Sequence, residues 1–71
     1  MNKEEYIKAF NDYANTKNIF DFKILEINIG SEGKYAEAKV FYRWNLNGWI
    51  KEVNTTELAF IENGEIIVVP W

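Results

Sequence analysis

The apolar positions near the start of the chain follow a helical spacing. They are Tyr6, Ile7, Phe10, Tyr13 and Ala14. Asn2 and Glu5 have the spacing of a capping box, in which each side chain binds the backbone N–H of the other residue. The pattern predicts an amphipathic helix of about three to four turns. We expect it to end within residues 15–18, where Asn favours a left-handed cap.

Beyond the helix, apolar positions alternate with polar ones, as in β-strands. In Ile19–Ile29 the alternation changes phase near Ile24 and Leu25. Either a β-bulge there brings all the apolar side chains to one side, or this strand is apolar on both faces. The second strand, Lys34–Trp44, is more regular, because its even positions form an apolar row. That row is Ala36, Ala38, Val40, Tyr42 and Trp44.

We expect this row to face the helix, with the two alanines allowing a close approach. Trp44 is then a core residue, and Trp44→Ala is expected to cost about 3–5 kcal/mol of stability. The odd positions of the same strand are mixed in polarity and face away from the helix.

Two Asn-Gly pairs, Asn47-Gly48 and Asn63-Gly64, indicate tight hairpins. Asn-Gly supplies the two positive-φ residues of a type I′ turn, so the strands that it joins run antiparallel. Two-residue turns predict the cross-strand pairs Leu46–Trp49, Arg43–Glu52, Tyr42–Val53, Glu62–Glu65 and Phe60–Ile67. A four-residue loop at the first turn, pairing Trp44 with Trp49, is the alternative.

The third strand, which runs to about Ile61, also changes phase, from Val53 to Leu58 and Phe60. A bulge at Thr55–Glu57 would turn Leu58 and Phe60 into the core; without it they face outward. The last strand is apolar on both faces until Pro70. The prediction is an α+β fold in a single domain, residues 1–71, with one N-terminal helix packed on a curved four-stranded antiparallel β-meander (α-β-β-β-β).

Composition argues against the commonest catalytic chemistries. The 71 residues include no His and no Cys, which excludes a Ser-His-Asp triad and thiolate chemistry. Ser31, the only serine, lies in a predicted turn. Glu26 and Glu37 would be neighbours on the first two strands, where we expect two solvated carboxylates. We therefore predict no enzymatic activity, no cofactor and no metal site.

Localisation is predicted from the absence of membrane and secretion signals in the sequence. No apolar run approaches the roughly 20 residues of a membrane span, and Met1–Glu5 does not resemble a signal peptide. The absence of cysteine favours a reducing compartment. We expect a cytoplasmic protein that does not contact a membrane.

The stretch Ala38–Ile67 resembles the cystatin-like architecture, and in particular a shortened member of the NTF2-like superfamily. The residues that carry the resemblance are Val40, Tyr42 and Trp44 at the end of a strand, Asn47-Gly48-Trp49, and Glu62-Asn63-Gly64 before a closing apolar strand. The resemblance implies a helix across a curved sheet. Typical members have about three helices around a deep pocket, and no position here matches the acid–base residues of their enzymes.

The leading functional hypothesis is a non-catalytic protein–protein interaction module. One helix cannot cover four strands, so an apolar sheet face stays open, and such patches usually mark interfaces. We expect a homodimer or a protein partner on that face or on an edge strand. The frequent Asn, Lys and Ile suggest an AT-rich phage or mobile element, in which the chain could inhibit a host protein. The predicted contact residues are Tyr35, Phe41, Arg43, Trp49 and Glu52.

Two alternatives concern small molecules and nucleic acid. A ligand pocket between helix and sheet would be lined by Tyr6, Phe10, Tyr13, Tyr42 and Trp44. The aromatic and basic residues of the second strand could instead stack single-stranded bases. The net charge of −3, together with Glu37 and Glu52, disfavours nucleic acid.

Overall fold

The computed structural model describes residues 2–71, which form one helix and a four-stranded sheet. The elements are α1 (Lys3–Ala14), β1 (Ile19–Ile29), β2 (Tyr35–Leu46), β3 (Trp49–Glu62) and β4 (Glu65–Val68), with a short 3₁₀ turn at Ser31–Gly33 between β1 and β2. The sheet is antiparallel throughout, in the order β1-β2-β3-β4. The predicted α+β meander is confirmed. Within residues 2–71, no helix has the length and apolar character needed to span a membrane.

The capping box at the start of α1 is present. The Glu5 backbone N–H donates to the Asn2 side chain at 2.9 Å, and the Asn2 N–H donates to the Glu5 carboxylate at 3.3 Å. The predicted left-handed cap at the other end is wrong, because Asn15 has a right-handed φ of −65°. The Asn15 and Thr16 N–H groups instead bond back to carbonyls of the last turn.

The core lies where α1 crosses small side chains of the sheet. Tyr6 and Phe10 are fully buried against Ala36, Ala38 and Val40 of β2, together with Ala59 of β3. Small residues allow the helix to approach closely enough for its aromatic rings to fill the gap. The Tyr6 hydroxyl donates to the Gly33 carbonyl at 2.7 Å, so its polar atom is satisfied at the edge of the core.

Both Asn-Gly turns adopt the expected geometry. Asn47 and Gly48 have φ values of 52° and 91°, and Asn63 and Gly64 have 51° and 80°, as a type I′ turn requires. All five predicted cross-strand pairs are confirmed. The four-residue alternative for the first turn is therefore wrong.

The bulge predicted in β1 is confirmed, although it does not bring every apolar residue inward. The pairing with β2 shifts between Ile24 and Glu26, which leaves Leu25 as the extra residue. Phe22, Ile24, Ile27 and Ile29 pack against the core. Leu25 and Phe20 are exposed, and a second irregularity lies between Phe20 and Lys23.

The bulge predicted in β3 is wrong. Pairing with β2 runs without interruption from Tyr35–Phe60 to Leu46–Trp49. Side chains therefore alternate strictly between the two faces. Leu58 and Phe60 lie on the face away from α1, 45% and 39% exposed, while Glu57 and Ala59 are buried on the face that carries α1.

Trp44 is not a core residue, contrary to expectation. Its side chain is 39% exposed. Trp44 pairs with Ile19, the first residue of β1, so it lies at the end of the three-stranded part of the sheet, and only the β2–β3 hairpin continues beyond it. The molecule is consequently elongated, 43 × 21 × 16 Å. Trp49 at the hairpin tip is 80% exposed.

The stability losses caused by Phe10→Ala and Trp44→Ala show which of the two residues belongs to the core. Phe10→Ala should lower the free energy of unfolding by about 3–5 kcal/mol, because it empties space between helix and sheet. Trp44→Ala should cost about half of that or less, since much of its surface is already hydrated. Chemical denaturation of both variants measures the difference, and an equal or larger loss for Trp44→Ala would contradict this placement of the core.

Candidate functional site: an open sheet face and a buried glutamate

The face of the sheet opposite α1 carries a contiguous apolar patch. Tyr35, Phe60 and Ile67 are aligned across β2, β3 and β4. Leu58 lies two residues from Phe60 on β3, and its carbonyl accepts the Val69 N–H at 2.8 Å. We call Tyr35, Leu58, Phe60, Ile67 and Val69 the open-face patch. No described residue of another layer covers it, since α1 lies on the other side.

A cluster of ion pairs lies farther along the same face. The Arg43 guanidinium donates to Asp21 at 2.7 Å and to Glu52 at 2.8 and 3.1 Å. It also stands 5.1 Å from the centre of the Phe41 ring, a cation–π distance. These two hydrogen-bonded carboxylates raise the pKa of Arg43 further above its ordinary value. The Arg43 side chain therefore has its partners within the chain, namely Asp21, Glu52 and the Phe41 ring.

The five predicted contact residues do not form one surface. Tyr35 belongs to the open-face patch, and Phe41, Arg43 and Glu52 form the ion-pair cluster beside it. Trp49 pairs with Leu46, and strict alternation places both on the side that carries α1, beyond its end. Trp49 therefore lies on the face opposite Phe41 and Arg43.

The sheet also has open edges. β1 and β4 are the outer strands, and β4 pairs with only the last four residues of β3, Ala59–Glu62. Most of residues 49–57 of β3 therefore form an additional edge. Such edges are available for strand addition by a partner.

Glu57 is the functional candidate that the sequence interpretation missed. It is only 4% exposed, and it lies directly opposite Ala38 on the face that packs against α1. Neither of its carboxylate oxygens has a hydrogen-bond partner among the described residues. The predicted pair Tyr42–Val53 was enough to find it. Because Tyr42 faces α1, Val53 does too, and in a strand without a bulge every second residue from Val53 onward, including Glu57, faces the same way.

Trp71 covers this part of the sheet. The residues after β4 cross toward the end of α1, where the Trp71 backbone N–H donates to the Tyr13 hydroxyl at 2.9 Å and the Tyr13 hydroxyl donates to the Trp71 carbonyl at 3.3 Å. The Trp71 ring stacks on Tyr42 at 5.1 Å and meets Tyr13 edge-on at 5.4 Å. Lys17 places its ammonium 4.8 Å from the Tyr13 ring and 5.6 Å from the Trp71 ring.

A cleft of about 270 Å³ lies between Glu57, the stacked rings of Tyr42 and Trp71, and the residues that lead to Trp71. Thr55, which lies on the same face of β3 as Glu57, and its neighbour Thr56 also line it. A second cavity of about 220 Å³ is also lined by Tyr42 and Trp71, together with Trp44 and Lys17. The aromatic pair is therefore shared by two adjoining cavities.

Burial raises the pKa of Glu57 from 4.5 to about 7. The Trp71 indole N–H lies close enough to oppose this rise in part, although its geometry is not that of a hydrogen bond. The pKa of Tyr42 is also raised, first by burial and then by the negative charge of Glu57. A carboxyl group with such a pKa exchanges its proton near neutral pH. It has no cationic partner among the described residues to stabilise its charged form.

The predicted ligand pocket is present only in part. Tyr6 and Phe10 fill the core and do not line the two cavities beside Trp71. Tyr42 lines both cavities, Trp44 lines the second one, and Tyr13 supports Trp71 from the helix. The cavities thus lie beyond the end of α1 rather than beneath it.

Glu26 and Glu37 are diagonal neighbours on β1 and β2 and do not lie directly opposite each other. Glu26 lies opposite Lys39, whose ammonium is 3.4 Å away, and Glu37 lies opposite Asn28. Within residues 2–71 no group of three or more His, Cys, Asp or Glu side chains could hold a metal ion.

Comparison with known proteins identifies no relative. No family model, no curated protein and no solved structure matches the chain. The resemblance to cystatin-like and NTF2-like domains therefore stays a prediction. The features that bear on function are the open-face patch and the cleft beside Glu57.

Glu57→Gln tests whether the buried carboxyl group is present as described. The folded protein keeps the Glu57 proton that the unfolded chain has already lost between about pH 4.5 and 7. Stability should therefore fall as pH rises through this window, by up to about 3 kcal/mol. Glu57→Gln removes this contribution, so its free energy of unfolding relative to wild type should increase from about pH 4.5 to about pH 8.

Glu37→Gln is the matched control, because Glu37 is exposed on the neighbouring strand. Urea denaturation of the three proteins across this pH range gives the comparison. Only the pH dependence is diagnostic, since the buried amide that Glu57→Gln introduces has its own constant desolvation cost. A difference between Glu57→Gln and wild type that does not change with pH would show that Glu57 titrates like a solvated carboxylate.

Proposed function

We propose that this protein is a non-catalytic protein–protein interaction module that forms a homodimer through its open-face patch. The observation that carries the proposal is the exposure of Leu58 and Phe60, 45% and 39%, at the centre of an apolar surface. Contiguous apolar patches on small proteins usually mark interaction sites. The unbroken β2–β3 ladder holds these side chains outward.

A second copy of the chain suits this surface in shape. Two sheets can pack face to face about 10 Å apart, and a two-fold axis would place the same patch on both sides. The patch residues are all uncharged. Glu37 lies opposite Leu58 on the same face, so the second copy has to leave this exposed carboxylate in contact with water. A stable interface needs about 800 Å² from each partner, which is about a sixth of the 4973 Å² surface of this chain.

The dimensions of the single chain also favour association. Its radius of gyration is 12.7 Å, compared with about 11 Å for a compact domain of this length. A domain this small buries a modest share of its surface alone. A partner on the open face would supply the second apolar layer that α1 supplies on the other side.

The charge distribution on this face gives less support to single-stranded nucleic acid. Lys39 and Arg43 are the cations of the predicted platform, and both are engaged with carboxylates, Lys39 with Glu26 and Arg43 with Asp21 and Glu52. Backbone phosphates would have to displace these pairs. The prediction of an inhibitor of a host protein stays a prediction, since the residues of this face specify no other protein.

Leu58→Glu tests the proposed dimer. Wild-type protein should approach twice its 8.4 kDa mass in sedimentation equilibrium as its concentration rises. Leu58→Glu should weaken association by at least about tenfold, because it places a charge at the centre of each half of the interface.

Ile50→Glu is the matched control. Ile50 lies on the same strand and the same face, and it is more exposed than Leu58, but it is near the hairpin tip and outside the patch. It should leave the dissociation constant unchanged. A wild-type chain that stays monomeric at millimolar concentration, or an equal effect of the two substitutions, would contradict the proposal.

A further inference from the structure

The cleft beside Glu57 has the chemistry of a cation site, independently of any association through the open face. Its wall includes a carboxylate that is 4% exposed and has no hydrogen-bond partner within residues 2–71. A buried charge without a partner is costly unless an opposite charge reaches it. No described Lys or Arg forms an ion pair with Glu57.

The aromatic residues beside the carboxylate favour the same ligand. Tyr42 and Trp71 stack at 5.1 Å and line the cleft, and ring faces attract cations through their quadrupoles. Lys17 already places an ammonium 5.6 Å from the Trp71 ring and 4.8 Å from the Tyr13 ring. The cluster therefore accepts an ammonium group from the chain itself, next to the cavity that Glu57 lines.

The donor set excludes other ligand classes. A calcium or magnesium ion needs several oxygen ligands, and within the described residues no group of three potential metal-binding side chains exists. An anion would be repelled by Glu57. Above about pH 7, where Glu57 is charged, a neutral apolar molecule would leave the carboxylate without a partner, whereas an organic cation satisfies both the carboxylate and the rings.

The size of the cleft limits the ligand. Its volume of about 270 Å³ is slightly below the range of about 300–1,000 Å³ typical of sites for drug-sized molecules. Thr55 lines it on the same face of β3 as Glu57, and its hydroxyl group can bind an N–H or O–H group of the guest. A small ammonium ion with one polar substituent fits these constraints.

Access requires movement of Trp71, because the Glu57 oxygens are covered. Trp71 is held by its stacking on Tyr42 and by two hydrogen bonds with Tyr13. Both hydrogen bonds are exposed to solvent. Exposed contacts of this kind are weaker than core packing. Trp71 can therefore be displaced to admit a ligand without disturbing Tyr6 and Phe10.

We propose that this cleft binds a small organic ammonium ion beside Tyr42 and Trp71, with the Glu57 carboxylate as its counter-ion. Such an ion would supply the positive charge that the chain does not provide. The rings of Tyr42 and Trp71 would contact its alkyl or methyl groups, and the Thr55 hydroxyl would contact its polar substituent.

Choline and 3,3-dimethyl-1-butanol test the proposal, because they share one shape and differ in the positive charge. Titration of wild-type protein, followed by calorimetry and by the amide and indole N–H signals in NMR spectra, should show saturable choline binding. We expect choline to bind at least about tenfold more tightly than the neutral alcohol. The largest shifts should fall on Glu57, Tyr42 and the Trp71 indole.

Glu57→Gln should reduce choline affinity by at least about tenfold, while Glu37→Gln should leave it unchanged. The same NMR spectra show whether each variant is folded, and the comparison of choline with the alcohol on wild-type protein needs no variant. Absence of saturable choline binding through the millimolar range would overturn the proposal. Equal binding of the alcohol, or unchanged affinity in folded Glu57→Gln, would also overturn it.

Discussion

The unbroken pairing of β2 with β3 is the constraint on which the rest of this structure depends. The type I′ turn at Asn47-Gly48 fixes the register, and the ladder then runs to Tyr35–Phe60 without a bulge. Because side chains alternate along a strand, this one register decides which residues of β3 meet the helix and which meet solvent. It places Ala59 beneath α1 and holds Leu58 and Phe60 on the open side.

The same constraint explains the unusual position of Glu57. Two small residues, Ala38 and Ala59, let the helix settle on the sheet, and Glu57 follows the same inward alternation at the margin of that contact. Its burial raises its pKa to about 7. The carboxyl group tolerates this burial because it stays protonated, and therefore neutral, below about pH 7. Strongly shifted pKa values of this kind are concentrated at functional sites.

Much of the fold could be predicted from the sequence because its local signals agree with one another. The capping box of Asn2 and Glu5, the apolar row of β2 and the two Asn-Gly turns all indicate the same meander. Two predictions failed because they were based on apolar side chains and not on the pairing of the strands. A bulge at Thr55–Glu57 was predicted because it would bury Leu58 and Phe60, but the pairing is regular. Trp44 was expected in the core because it ends the apolar row of β2, but it is exposed.

The candidate sites were harder to predict because they depend on how far the helix reaches. Nothing in the spacing of α1 shows that it stops short of Trp44, or that Trp71 returns to Tyr13. The central claim, that regular pairing forces Glu57 into a buried position, is tested most directly by carbon-13 NMR titration of its side-chain carboxyl group. The account predicts a midpoint near pH 7, and a midpoint near 4.5, the ordinary value, would contradict it.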